Sequence, residues 1–169
     1  DLIMVGAYTG ARIEEICSLK CSEINSHDKT LTIIDAKTDA GRRTIPIHSK
    51  IQSRVDQMIT HSTDGHLVSG LTENKYKNRS NAIGKRFGRL KKSLGYSDQH
   101  VFHSIRKTFT TCLENAGVSE NVAADIVGHE KPRITYGLYS GGTTVAVMKK
   151  AIEKVHYGFK STFLLKRTQ

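Results

Sequence analysis

The sequence predicts an α+β fold, mainly α-helical with a small antiparallel β-sheet. Three observations carry this reading. Apolar residues recur at helical spacing in several separate segments, two short β-rich runs flank a polar turn, and 169 residues are enough for one domain with a real core. Leu2 to Tyr8 is mostly apolar and reads as a buried helix, broken by Thr9-Gly10. Ala11 to Leu19 reads as a second helix, with Ile13, Ile16 and Leu19 or Cys17 on one face.

Thr30 to Asp35 and Arg42 to Ile47 are the β-rich runs. Between them lies the turn Ala36-Lys37-Thr38-Asp39-Ala40-Gly41, giving a hairpin or meander. Pro46 has no N–H to donate, so the second strand is an edge or is near its end. Ser49 is the expected N-cap of a helix over Lys50 to His61. Asn74 to Leu94 reads as one long helix, with Ile83, Phe87, Leu90 and Leu94 on one side and basic residues, Arg79 among them, decorating it. Ser104 to Asn115 is a helix stopped by Gly117, and Ser119 to Val127 is another stopped by Gly128. Tyr136 to Ser140 reads as a short helix ending at Gly141-Gly142, and Thr144 to Val155 as an amphipathic one.

The chain carries 26 Lys and Arg against 16 Asp and Glu, a formal net charge of +10. The excess is spread along the chain rather than gathered in a tail, which points to a polyanionic partner, most simply nucleic acid. Cys17, Cys21 and Cys112 are an odd count without disulfide-framework spacing, which suits a reduced intracellular protein. Cys17 and Cys21 could align on one helical turn, but only His27 stands nearby to complete a zinc set, so no metal is expected. No apolar run approaches the roughly 18 residues of a membrane span, and there is no secretory signal pattern. The chain opens at Asp1 directly into helix interior, so a fragment lacking its N-terminal DNA-binding domain or domains is expected.

The chemistry-bearing residues are strung out in order. Arg12 sits in Thr9-Gly10-Ala11-Arg12-Ile13-Glu14-Glu15, just after a turn and at a helix start, with Glu15 placed to hold its guanidinium or simply the fold. His103 and Arg106 are three apart and share a face near a helix N-terminus, where an anion is favoured. His129 follows Val127-Gly128, and Tyr139 comes ten residues later, with Tyr136 as its competitor. Arginine forks match phosphate oxygens, imidazole exchanges protons near neutral pH, and an activated phenol can form a covalent ester. Such a set can grip a phosphodiester and attack it. Lys37 lies in the polar turn, where its position alone does not separate it from Arg42 or Arg43.

The order Arg12, Lys37, His103-x-x-Arg106, His129, Tyr139 resembles that of the tyrosine recombinases, the phage-type integrases in particular. The likeness runs from Thr9 to Tyr139, with Val-Gly-His in place of the commoner Leu-Gly-His and Lys107 after Arg106 where many members carry Arg or His. It implies the catalytic-domain fold of that family and a site-specific DNA recombinase activity through a 3′-phosphotyrosyl intermediate. Arg12 and Arg106 would clamp the phosphate and Lys37 would be the general acid. His103 and His129 would handle the proton or orient the phosphate, and Tyr139 would be the nucleophile in preference to Tyr136. Glu15, Arg42 and Arg43 would contact DNA phosphates or support the site.

The resemblance further implies no cofactor and no metal. The expected partners are double-stranded DNA attachment sites, further copies of the chain (a tetramer on DNA) and DNA-bending accessory proteins, in the cytoplasm of a bacterial host with no membrane involved. Residues 1–142 would be the catalytic core. Residues 143–169 would be a C-terminal helix and basic tail, able to pack on its own domain or on a neighbouring protomer. A type IB topoisomerase relative and a non-catalytic DNA-binding module are the competing readings.

Overall fold

The computed structural model describes residues 1–35, 39–130 and 141–158. Seven α-helices and a three-stranded sheet are found among them, so the fold is α+β and mostly helical with a small antiparallel sheet. Helix α1 (Leu2–Thr9) buries Leu2, Val5, Gly6, Ala7, Tyr8 and Thr9, and it packs against α2 (Ile13–Ser18), α3 (Ser49–Thr60) and α5 (Phe102–Asn115). It is a central helix because nearly every side it shows is apolar or small. Gly10 ends it in the left-handed conformation, with φ 65°.

The sheet is a meander in the order β1 (Ile24–Asn25), β2 (Thr30–Ile33), β3 (Arg43–Pro46). Leu31 stands opposite Ile45, and Ile33 opposite Arg43. Leu31, Ile33, Ile45 and Ile47 are all buried, so that face of the sheet is the core face. Pro46 closes β3, which is an edge strand.

Several helix boundaries differ from those expected, each for a local reason. The N-cap of α3 is His48, whose Nδ1 accepts the Lys50 N–H at 3.0 Å. Ser49 is instead the first helical residue, and its N–H and hydroxyl bind the Glu153 carboxylate at 2.8 and 2.7 Å. Helix α4 begins at Ser80, not Asn74 (Ser80–Ser93), because the Asn74 side-chain oxygen accepts the N–H groups of Tyr76 and Asn78 and closes a turn. Arg79 is not a surface decoration. It is buried, donating to the Cys17 carbonyl and to Asp64 at 2.9 Å each. The Glu14 carboxylate of α2 accepts the N–H groups of Arg79 and Ser80, capping α4 from a neighbouring helix.

Helix α5 starts at Phe102, two residues before the expected Ser104, and so takes His103 into its first turn. Helix α6 (Glu120–Val127) ends at Gly128, with φ 71°. Helix α7 (Val145–Ile152) lays Met148, Ala151 and Ile152 on β3 and α6 of its own chain. Lys149 donates to the Ile47 carbonyl and pairs with Glu153 at 2.8 Å. The expected short helix over Tyr136 to Ser140 and the basic tail from Phe159 lie outside the described residues.

Glu153 thus ties α7 to α3. Burial would raise its carboxyl, but bonds from Lys149 and Ser49 outweigh it and hold the group at about 2. The stability this contributes is present above the ordinary carboxylate range and disappears as pH falls through about 2. Glu153→Gln is expected to lose about 1 kcal/mol at neutral pH, allowing for solvent screening. Urea midpoints of the two proteins are expected to converge between about pH 5 and about pH 2.

Candidate active site

Three corners of the chain meet at one place: the α1–α2 turn, the first turns of α5, and the C-terminal end of α6. Arg12 occupies the N-cap position of α2 rather than a place inside the helix. Its N–H donates to Glu15 Oε2 at 2.8 Å and its Nη1 to Glu15 Oε1 at 2.6 Å. The Arg12 side chain remains 40% exposed. One edge of its fork is therefore held by protein while the rest faces outward.

Arg106 is the opposite case, only 3% exposed. Nη1 donates to the Gly10 carbonyl at 2.7 Å and Nη2 to the Val127 carbonyl, bridging the α1–α2 turn and the end of α6. Its Nε is buried with no hydrogen-bond partner among the described residues. Burial first, then the charges of Arg12 and Arg43, push its guanidinium down to about 10, with Glu15 acting the other way. The site is thus rich in fixed positive charge and holds an unused buried donor.

Ala11, Arg12, Ile13, Phe102, His103 and Arg106 line a cleft of about 130 Å³. At ~30 Å³ per water, that is room for a phosphate-sized anion. His103 is exposed at the rim, yet loss of hydration on its inner side, then the charges of Arg106, Lys107 and Arg12, lower its imidazole. His129, just past Gly128, is also exposed. It is lowered by burial first and then by Arg106, Arg12, Arg43 and His103. Arg106 shares the cleft with Arg12 and His103 and binds the Val127 carbonyl, two residues before His129, so folding gathers the four around one spot. Both imidazoles favour the neutral form, which can accept a proton.

Glu15 and Arg43 lie beneath this spot, each side chain 5% exposed, paired at 2.9 Å. Burial raises the Glu15 carboxyl, and hydrogen bonds from Arg43 and Arg12 more than offset that. The Arg43 side chain therefore faces protein groups. Strand alternation carries the signal for this, since Arg43 falls on the same face as Ile45 and Ile47. Arg42, one residue earlier, is exposed. Lys37, Tyr136 and Tyr139 lie outside the described residues. Among the described residues, no cluster of three His, Cys, Asp or Glu side chains could hold a metal, and no helix is long and apolar enough to cross a membrane.

Comparison with known proteins shows what the chain is similar to. The tyrosine recombinase XerA of Pyrococcus furiosus is 27% identical over 158 residues, a stretch covering 92% of this chain and 54% of that protein. The chain spans about half the length of the curated relatives it matches. Among solved structures, the integrase from mycobacterium phage Brujita superposes with a TM-score of 0.69 at 21% identity, covering 92% of this chain and 50% of that one. The Tn1549 transposon integrase, solved in complex with circular intermediate DNA, gives 0.61 at 23% identity over 91% of this chain and 58% of its own. At these identities the likenesses show a shared fold. The profile of the phage integrase family matches residues 1–143, a span that takes in the cleft, both arginines and both histidines, and the chain belongs to that family.

Proposed function

We propose that this chain is the catalytic domain of a site-specific DNA recombinase that breaks and rejoins strands through a tyrosine ester. The observation that carries this reading is Arg106, a buried guanidinium whose Nε has no partner among the described residues, beside a cleft shared with Arg12 and His103. A site with excess fixed positive charge and a spare donor suits a phosphodiester. Family membership and the DNA-bound Tn1549 relative support the choice of DNA.

In this reading Tyr139 gives its phenolic proton to a neutral imidazole, and its oxygen attacks the phosphorus in line. Arg12 and Arg106 hold the non-bridging oxygens as they gain charge. Fixed donors aimed at developing charge are often the largest catalytic contribution. The phosphorus–5′-oxygen bond breaks, Lys37 protonates the departing oxygen, and a 3′-phosphotyrosyl ester remains. Attack by a 5′-hydroxyl from another strand reverses each step, so the ester conserves the bond energy. A tetramer on paired attachment sites supplies that second strand, and the basic surface, Arg42 included, tracks the duplex backbone.

The test is trapping. Nicked half-site duplexes carrying the attachment sequence are incubated with the protein, denatured and resolved for a covalent adduct. Wild type and Tyr136→Phe are expected to form it, and Tyr139→Phe to fall to background. Persistence in Tyr139→Phe would refute the nucleophile. Salt-sensitive DNA binding with no adduct in wild type would favour a purely binding role.

A further inference from the structure

Arg43 holds together three segments far apart in sequence. Its Nη2 and Nη1 reach Glu15 at 2.9 and 3.3 Å, Nη1 reaches the Gly41 carbonyl at 2.6 Å, and Nε reaches the Ile126 carbonyl at 2.8 Å. Glu15 in turn binds the backbone and side chain of Arg12. Ile126 and Val127 end α6, where carbonyls lack helical partners. Arg43 takes the first and Arg106 the second, so the stem of His129 is slung between two guanidinium groups. Gly128 seals the arrangement. A Cβ there would meet Arg43 Nη1 at 2.8 Å and the Ala40 carbonyl at 3.0 Å. The strand that returns from the Lys37 turn thus lies directly against the stem of His129.

We propose that Arg43 is the positioning residue of this site, setting Arg12 through Glu15 and His129 through the end of α6 without touching DNA. The proposal rests on the recombinase reading for its consequence in rate, and on the geometry alone for its placement. A planar fork can serve Glu15, Gly41 and Ile126 together, whereas the single nitrogen of lysine cannot. The strand register, with Arg43 opposite the buried Ile33, keeps the fork inside.

The experiment compares wild type with Arg43→Gln and with Arg43→Lys, the latter keeping the charge and so better placed to fold. Three quantities are read: the salt slope of duplex binding, the single-turnover cleavage rate at saturating half-site DNA, and the NMR titration of His129. Among the described residues, the charges of Arg106, Arg12, Arg43 and His103 act on His129. A positioning role leaves the salt slope unchanged in both variants. It lowers the saturated rate roughly 10²-fold, the usual penalty for a misplacement of about 1 Å. His129 is expected to titrate higher in the glutamine variant. The lysine variant is expected to recover that titration but not the rate, because charge returns and the fork does not.

A slope reduced by about one, with the saturated rate intact, would identify Arg43 as a phosphate contact and overturn the proposal. An unchanged rate and an unchanged titration would make it a spectator, which also overturns it. If wild type forms no adduct, the recombinase reading fails by itself. Arg43 is then judged on slope and titration: an unchanged slope with the His129 shift supports it, and any other pair of results overturns it.

Discussion

Arg106→Lys is expected to slow covalent-adduct formation by about 10²–10³-fold and to destabilise the fold by about 1–3 kcal/mol. The two losses share one cause. Arg106 joins the Gly10 carbonyl to the Val127 carbonyl while turning a third nitrogen, Nε, to no partner among the described residues. Lysine keeps the charge but offers one nitrogen, so one carbonyl loses its donor in a site that water reaches poorly. In the proposed reading the phosphate clamp also changes from a fixed fork to a flexible point charge. Single-turnover trapping measures the first loss and urea denaturation the second. Lys107→Gln, one residue on and exposed, is the control, and its stability is expected to stay within about 0.5 kcal/mol of wild type. A lysine variant that loses stability yet cleaves at the wild-type rate would reduce Arg106 to a structural brace.

The electrostatics explain why such a brace is tolerated. Arg12, Arg43 and Arg106 converge on a region where Glu15 is the buried carboxylate that offsets them. Burial first and then the neighbouring positive charges lower the guanidinium of Arg106 and the imidazoles of His103 and His129. A phosphodiester in the cleft would offset those charges. In the proposed reading the arrangement is held ready for an anion by packing, which is how fixed donors avoid reorganising during a reaction.

The fold was legible where the chain signals locally. The apolar run of α1, the Gly10 stop and the alternation of β2 and β3 all act within a few residues. So do the order and approximate helices of Arg12, His103, Arg106 and His129. What escaped was set by partners distant in sequence. Strand β1 is two residues long, too short to show a period. His48 displaces Ser49 as a cap because Glu153, from the other end of the chain, claims Ser49. Arg79 looks like one more helix-surface cation until Cys17, Asp64 and Glu14 surround it. Arg43 looks like any basic residue of the turn until Glu15 and the Ile126 carbonyl are seen to bind it. For Arg79 and Arg43 a charged side chain enters the interior because a partner distant in sequence awaits it.

Gly10→Ala is expected to be the costliest of the single-atom changes, because backbone and packing penalties coincide there. With φ +65°, any other residue pays about 1–2 kcal/mol for the left-handed region. The added Cβ would also stand 2.5 Å from Phe109 Cδ1 and 3.2 Å from Val127 Cγ1. Phe109 is fully buried, so relief requires the α5 and α6 packing to shift, a further ~1–3 kcal/mol. For a chain of this size the sum corresponds to a fall in Tm of roughly 4–20 °C. Because the Gly10 carbonyl receives Arg106, adduct formation is expected to fall with it. Gly117→Ala separates the two penalties. Its φ is +71°, but among the described residues nothing lies within 4 Å of the added carbon, so only the backbone cost applies. A Gly10→Ala loss no larger than that of Gly117→Ala would show that Phe109 yields without resistance, and the tight seat of Arg106 would then owe nothing to the glycine.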